Sequence, residues 1–140
     1  MPCRCDAVRH LGPWRLATGR MAAVSVVLVV DDEPDLRFLL RWFIELGGHQ
    51  VVEAWNGAAA LQTMAQALPD LVITDIMMPV MNGAELIRRL RAEPTTAAIP
   101  ILAVSADGYL AVGADEVLAK PFNGPELIAA VERLLEEGRG

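Results

Sequence analysis

Five short apolar runs recur along the chain, each followed by polar residues or by a turn. The first is rich in β-branched residues, which is typical of a strand buried on both faces of a parallel sheet. The others are shorter but have the same character. The pattern therefore predicts five strands, at residues 24–30, 50–54, 71–74, 101–104 and 117–119.

Between these runs, apolar residues recur with the three- and four-residue spacing of amphipathic helices. In the first such segment, Leu36, Leu40 and Phe43 lie on one helical face. Pro34 suits the first turn of that helix, and the glycine pair 47–48 ends it. Similar spacing predicts helices that begin after Asn56, near Ala84 and after Asn123.

Strands that alternate with helices predict an α/β domain with a parallel sheet and helices on both faces. The 140 residues, of which 54% are hydrophobic, suit one domain with a full core. We expect this domain to cover residues 24–136, with a basic, disordered extension at 1–23 and a short tail at 137–140. Residues 1–20 also fit sequence upstream of a start at Met21, and the sequence leaves both readings open.

Composition and charge exclude several classes of function. A net charge of −6 argues against binding to nucleic acid, which usually requires a basic surface. No apolar run reaches the roughly 18 residues that span a bilayer, so we expect no membrane association. Cys3 and Cys5 are the only cysteines, too few for a structural zinc site or a disulfide framework. The cytoplasm is the expected compartment.

Four of the predicted strands end in polar residues that a single site could use. Asp31 and Asp32 follow the first strand, and Asp75, Ser105 and Lys120 follow the third, fourth and fifth. Each residue alone is explained as easily by helix capping or by solvation. In a parallel sheet, however, all of these ends lie on the edge where ligands of such folds bind. The combination indicates one shared site.

The chemistry of these residues suits phosphoryl transfer beside Mg²⁺. Crowded carboxylates repel one another, and a hard divalent cation with a preference for oxygen ligands relieves that repulsion. The carboxylate of Asp75 is then a candidate nucleophile that forms an acyl phosphate. Ser105 can donate a hydrogen bond to a phosphate oxygen. Lys120, the only lysine of the chain, offers a point charge to phosphate or to Asp75.

Three separated segments, in order, resemble the receiver domains of response regulators. Residues 27–34 (VLVVDDEP) are similar to the opening of that family, and residues 70–83 (DLVITDIMMPVMNG) to its phosphoacceptor segment. Residues 119–122 (AKPF) resemble its lysine–proline turn. The resemblance covers about residues 24–136. It implies a flavodoxin-like, doubly wound sheet of five strands in the order 2-1-3-4-5.

The resemblance also implies a role for each matched residue. Asp75 would accept a phosphoryl group from the phosphohistidine of a sensor histidine kinase or phosphotransfer protein. Asp32 would bind Mg²⁺ directly, Asp31 mostly through water, and Asp75 and the backbone carbonyl of Met77 would complete the protein ligands.

Two further positions complete the implied switch. Ser105 would sense the phosphoryl group and draw its loop inward. Lys120 would pair with the phosphoryl oxygens, and its peptide bond to Pro121 would be cis. The switch would then change affinity for a downstream protein that the sequence does not name.

The chain departs from the family pattern at two places. Val117 stands where the family often carries a rotating Tyr or Phe, and its β-branched side chain is stiff about χ1. The segment from Ser105 to Lys120 is also about seven residues shorter than usual. We therefore expect the family's fourth helix to be shortened to one or two turns within 106–115. Partner binding and any homodimer through this face should be altered.

Three functions remain open at this point. The first is a phosphorylation switch without an output domain of its own, which slowly removes its own phosphoryl group. The second is a protein-interaction module that no longer depends on phosphorylation. The third is a phosphatase resembling the haloacid dehalogenases, which require a second Asp two residues after the nucleophile. Met77 occupies that position here, so the acid–base carboxylate is missing.

Overall fold

The computed structural model describes residues 24–78, 80–106 and 111–139 of the chain. The predicted N-terminal extension lies outside the described residues. The described helices and strands follow one another in strict alternation until the last two strands. In chain order they are β1 (Val26–Val30), α1 (Pro34–Leu46), β2 (Gln50–Ala54), α2 (Gly57–Gln66), β3 (Leu71–Asp75), α3 (Gly83–Ala92), β4 (Ile101–Ser105), β5 (Glu116–Ala119) and α4 (Gly124–Arg139).

The five strands form one sheet in the order β2-β1-β3-β4-β5, and every neighbouring pair is parallel. The predicted fold class and strand order are therefore confirmed. β1, β3 and β4 are buried along their whole length, which explains their nearly continuous apolar sequences. β5 lies at one edge and alternates between partly buried and exposed residues.

Alternate side chains of each central strand build two separate cores, one on each face of the sheet. Val27 and Val29 of β1 pack with Ile44 of α1 and with apolar residues of α4. Leu28 and Val30 of the same strand pack on the opposite face, with α2 and α3. This alternation follows from the two-residue repeat of a strand and confirms helices on both faces.

The helix starts that flank the site are determined by local sequence. Pro34 is the first residue of α1, where the lack of an N–H costs nothing. Asn56 caps α2, since its Oδ1 accepts a hydrogen bond from the N–H of Ala59 at 2.8 Å. Asn82 caps α3 in the same manner through Glu85 N, at 2.9 Å. At the other end of the chain, α4 continues to Arg139, into the predicted tail.

The connection between β4 and β5 is fastened to α3 by one side chain. In its described parts, Ala106 and 111–115, there is no helix, in agreement with a shortened fourth helix. Arg91 of α3 donates hydrogen bonds to the carbonyl oxygen of Gly113 at 2.9 Å and to Asp115 Oδ2 at 2.6 Å. The same Asp115 oxygen accepts from the N–H of Ile101 at 2.8 Å.

The guanidinium of Arg91 also holds the turn that leads into β4. Its Nη1 donates to the carbonyl oxygens of Ala97 and Ile99, both at 2.8 Å. One cation thus joins α3, the start of β4 and the start of β5. One side chain thus satisfies three backbone carbonyls in two connections, because a guanidinium carries five donors in a fixed geometry.

Replacement of Arg91 should destabilise the fold more than replacement of a neighbouring arginine. We expect Arg91→Ala to lower the free energy of unfolding by about 2 kcal/mol, since charge-assisted hydrogen bonds to several carbonyls are lost together. Urea denaturation would measure this loss. Arg88→Ala is the matched control, because Arg88 lies on the same helix but is exposed and pairs only with Glu85 among the described residues. Equal losses in the two variants would contradict the role of Arg91.

Candidate functional site

The carboxyl ends of the parallel strands bring the predicted site residues together. Asp31 directly follows β1, Asp75 is the last residue of β3, and Ser105 is the last residue of β4. Lys120 directly follows β5, and its N–H donates to the carbonyl oxygen of Ser105 at 3.2 Å. Asp32 follows Asp31 at the start of the β1–α1 loop. The predicted grouping on one edge of the sheet is what the structure shows.

Three carboxylates form a compact cluster. Asp31, Asp32 and Asp75 each offer one oxygen, and these oxygens lie within 4.8 Å of one another. Lys120 Nζ lies 3.3 Å from Asp75 Oδ1, close enough for an ion pair. Asp75 is 8% exposed and Asp31 only 1%, so the cluster is accessible from one side alone. Low solvent access strengthens both the repulsion within the cluster and the attraction to Lys120.

Hydrogen bonds fix the orientation of the two buried carboxylates. Asp75 Oδ1 accepts from the N–H of Ile76 at 2.8 Å as well as from Lys120. Asp31 Oδ1 accepts from the N–H of Glu33 at 2.9 Å. Asp31 Oδ2, in contrast, is buried and has no hydrogen-bond partner among the described residues. A buried carboxylate oxygen without a donor is costly, and a cation is one of the few groups that can satisfy it.

The pKa of Asp31 is raised from its ordinary value of 3.8 to about 6, chiefly by burial. The negative charge of Asp75 also raises this pKa, whereas the hydrogen bond from Glu33 and the charge of Lys120 lower it. Burial therefore disfavours the charged form of Asp31 in this cluster. Three hard oxygen donors, one of them unpaired, fit a Mg²⁺ ion, which prefers carboxylate and carbonyl ligands.

The loop after β3 carries Met77, whose carbonyl the resemblance names as a metal ligand. Gly83 closes the base of this loop, since its N–H donates to the carbonyl oxygen of Ile76 at 2.8 Å. A methyl group on Gly83 would lie 2.1 Å from the carbonyl oxygen of Asp75, so only glycine allows this approach. The side chain of Met77 is exposed. The role of its carbonyl stays a prediction.

The remaining predicted positions are distributed around this centre. Ser105 is buried, with 2% of its surface exposed. The peptide bond between Lys120 and Pro121 is cis, as the resemblance implies. Val117 lies on edge strand β5 with 41% exposure, so no aromatic side chain occupies the switch position. Sequence reasoning missed the structural role of Gly83 in packing against the Asp75 backbone. A glycine close after a strand that ends at the site was the available signal.

The model of the response regulator receiver domain family matches residues 27–132. The chain belongs to this family. It is 40% identical over 120 residues to the phosphate regulon transcriptional regulatory protein PhoB of Rhizobium meliloti, covering 81% of this chain and 53% of that protein. The chain thus spans about half the length of this relative and of the next curated relatives that it matches.

Solved receiver domains have the same fold. The signal receiver domain of a signal transduction histidine kinase from Syntrophus aciditrophicus is 31% identical, with a TM-score of 0.77 over 81% of this chain and 92% of that one. The response regulator TrrA of Thermotoga maritima, solved in complex with Mg²⁺ and BeF, is 34% identical. Its TM-score is 0.72, over 79% of this chain and 99% of that one.

Receiver domains are signalling domains that interact with sensor histidine kinases or phosphotransfer proteins. Mg²⁺ is found in the active site of receiver-domain neighbours, and the acidic cluster of this chain is suited to a metal ion. Within the described ranges, no helix is both long and apolar enough to cross a membrane.

The raised pKa of Asp31 predicts how the stability of this receiver domain depends on pH without metal. Asp31 binds its proton more tightly in the folded state, with a pKa of about 6 against 3.8. The tighter binding of this proton stabilises the folded state. The stabilisation is fully present below pH 3.8 and is lost as the pH rises through about 6. We expect Asp31→Asn to raise the free energy of unfolding at pH 7.5 by about 1–2 kcal/mol in EDTA, because one pKa unit corresponds to about 1.4 kcal/mol and solvent screens part of the shift.

Urea denaturation at pH 5 and pH 7.5 would test this expectation, and the gain should shrink at pH 5. Asp32→Asn is the matched control, since Asp32 belongs to the same cluster but is exposed. A gain from Asp31→Asn that is the same at both pH values would show that desolvation of the Asp31 charge is not its cause.

Proposed function

We propose that this receiver domain is the phosphoacceptor switch of a two-component phosphorelay. Asp75 receives a phosphoryl group from the phosphohistidine of a sensor histidine kinase or phosphotransfer protein. The observation that carries the proposal is the position of Lys120 Nζ, 3.3 Å from Asp75 Oδ1, beside three carboxylates whose oxygens lie within 4.8 Å. A cation and an acidic cluster on either side of one buried carboxylate suit transfer of a highly charged group.

The transfer step assigns separate tasks to the two oxygens of Asp75. The hydrogen bonds from Ile76 and Lys120 both go to Oδ1, which fixes the orientation of the carboxylate. We assign Oδ2 as the nucleophile. An oxygen–phosphorus bond forms at Oδ2 while the phosphorus–nitrogen bond of the donor phosphohistidine breaks, and the imidazole nitrogen leaves with the bonding electron pair. The product is an acyl phosphate on Asp75.

Four residues would hold the metal: Asp31, Asp32 and Asp75 through carboxylates, and Met77 through its backbone carbonyl. When bound, Mg²⁺ neutralises the clustered carboxylates and orients the phosphoryl oxygens. Support comes from the unpaired, buried Asp31 Oδ2 and from the Mg²⁺ and BeF complex of the Thermotoga maritima relative. Asp32, which is exposed, would bind the ion directly, and buried Asp31 would act mostly through water.

Ser105 and Lys120 would read the phosphorylated state. Ser105 ends β4, which pairs with β3, and Lys120 follows β5, which pairs with β4. The bond from Lys120 N to the Ser105 carbonyl keeps the two residues together. The hydroxyl of Ser105 would donate to one phosphoryl oxygen and the ammonium of Lys120 would pair with another. The resulting movement changes the affinity of the domain for a downstream protein in the cytoplasm, without contact to nucleic acid or to a membrane.

A phosphorylation-independent interaction module is the second candidate. Val117 in place of an aromatic residue favours it, as does the fastening of the β4–β5 connection to Arg91. Both features reduce the part of the domain that can respond to phosphate, including the face through which a homodimer would form. A phosphatase is disfavoured, because Met77 stands two residues after Asp75 and cannot act as an acid or base.

Incubation with a small acyl phosphate and Mg²⁺ should add one phosphoryl group to the protein, as read by intact mass. Asp75→Asn should abolish the addition, because the amide is not a nucleophile. Asp35→Asn is the matched control and should leave it unchanged, since Asp35 is an exposed carboxylate in the first turn of α1. EDTA should also suppress the reaction.

Two outcomes would contradict the proposal. The first is a protein that gains no phosphoryl group at all, and the second is a gain that survives Asp75→Asn. If phosphorylation occurs but BeF and Mg²⁺ leave the affinity for a captured partner unchanged, the interaction module becomes the better description of the output. Sustained turnover of a phosphomonoester would support the phosphatase instead.

A further inference from the structure

The loop between β3 and α3 is held at a second point that the proposed chemistry does not use. Gly57, the first residue of α2, donates its N–H to the carbonyl oxygen of Met81 at 3.1 Å. Gly83 closes the base of the same loop, as described above. The residue that carries the proposed metal-ligand carbonyl, Met77, thus lies between an anchor within the loop and an anchor on a neighbouring helix.

The contact at Gly57 leaves no space for a side chain. A methyl group on this residue would lie 2.7 Å from Met81 Cγ and 2.9 Å from both the Sδ and the carbonyl oxygen of Met81. Both the side chain and the backbone of Met81 therefore pack directly against the start of α2. Because Asn56 caps this helix through Ala59, the N-terminus of α2 is itself well defined.

The loop contains a strained residue, Val80, whose conformation requires a restraint from its surroundings. Val80, which directly precedes Met81, has a φ of 69°, in the left-handed region. A β-branched residue is a true outlier there, and the strain persists only where the surroundings enforce it. Val80 is also exposed, so burial of its side chain does not supply the restraint. The contact with Gly57 restrains Met81, which directly follows Val80 in the chain.

We infer that Gly57 is a positioning residue for the metal site, acting through Met81 on the loop that carries Met77. The N-terminus of α2 restrains Met81 and, next to it, Val80, and thereby the position of the Met77 carbonyl. The inference rests on the proposed function, since it assigns to Gly57 a part in the Mg²⁺ site of that proposal.

Gly57→Ala should weaken Mg²⁺ binding about tenfold, the typical loss when a group that orients a metal ligand is altered. Isothermal titration calorimetry with Mg²⁺ alone would measure the affinity. Thermal unfolding in EDTA, followed by circular dichroism, would measure stability separately. Ala60→Gly is the matched control, because it weakens the same helix at a buried position and adds no atom that could meet Met81. It should lower the melting temperature and leave Mg²⁺ affinity unchanged.

A second substitution tests whether the effect passes through Met81. Met81→Ala removes the Cγ and Sδ atoms that the new methyl group would meet, and leaves the 2.9 Å approach to the carbonyl oxygen. The double variant Gly57→Ala, Met81→Ala should therefore recover most of the lost affinity. Met81→Ala alone should change it less than threefold, since the hydrogen bond from Gly57 goes to the backbone.

Hydrogen exchange supplies a readout that does not depend on metal affinity. In the metal-free protein, Gly57→Ala should accelerate exchange in peptides that cover residues 76–83, whereas Ala60→Gly should not. In the wild type, Mg²⁺ should slow exchange at the start of α2, because coupling between two sites is reciprocal.

The possible failures are distinguishable. A wild-type protein that neither binds Mg²⁺ nor accepts a phosphoryl group would overturn the proposed function. A wild type that does both, together with a Gly57→Ala variant of unchanged Mg²⁺ affinity and loop exchange, would overturn the positioning role alone. Equal loss of Mg²⁺ affinity in Gly57→Ala and Ala60→Gly would also overturn it, because the effect would then follow helix stability.

Discussion

Three carboxylates within 4.8 Å of one another, two of them buried, are an unfavourable arrangement that the rest of this domain is built to maintain. Their mutual repulsion and the desolvation of Asp31 oppose folding, and Asp31 Oδ2 has no donor among the described residues. The sheet overcomes this cost through two cores, one on each face. Parallel pairing then forces the ends of β1 and β3 together. A cation bound at the cluster would relieve this cost, so the arrangement that opposes folding is also the one that the proposed metal site requires.

The position of the cation beside this cluster depends on how β5 is attached to the rest of the domain. Among the described residues, Lys120 supplies the cation that pairs with Asp75, and its position depends on pairing of β5 with β4. Arg91 fastens the described part of the connection before β5 to α3 with hydrogen bonds from a single guanidinium. The edge strand that positions Lys120 is attached in this way.

The loop after β3 links the cluster to the other side of the molecule. Gly83 packs on the Asp75 backbone and Gly57 on Met81, so that the strained conformation at Val80 is enclosed between two fixed points. Sites that must hold a ligand at a defined position commonly store strain in this way. Here the restraint comes from α2, a helix without any residue in the acidic cluster. The first residues of α2 and α3 are therefore both tied to this loop, by hydrogen bonding and by close packing.

The sequence by itself determined the strands, the sheet class and the members of the acidic, serine and lysine set. Buried β-branched runs and helical spacing are local signals, and the rule that parallel strands share a carboxyl edge extends them to Asp31, Asp75 and Lys120. Only the tertiary structure decided what lies beyond the reach of local patterns. The role of Arg91 depends on carbonyls 6 to 22 residues away, and that of Gly57 on Met81 in the loop after β3. Such contacts are set by how packed elements meet in space, and no spacing in the sequence encodes them.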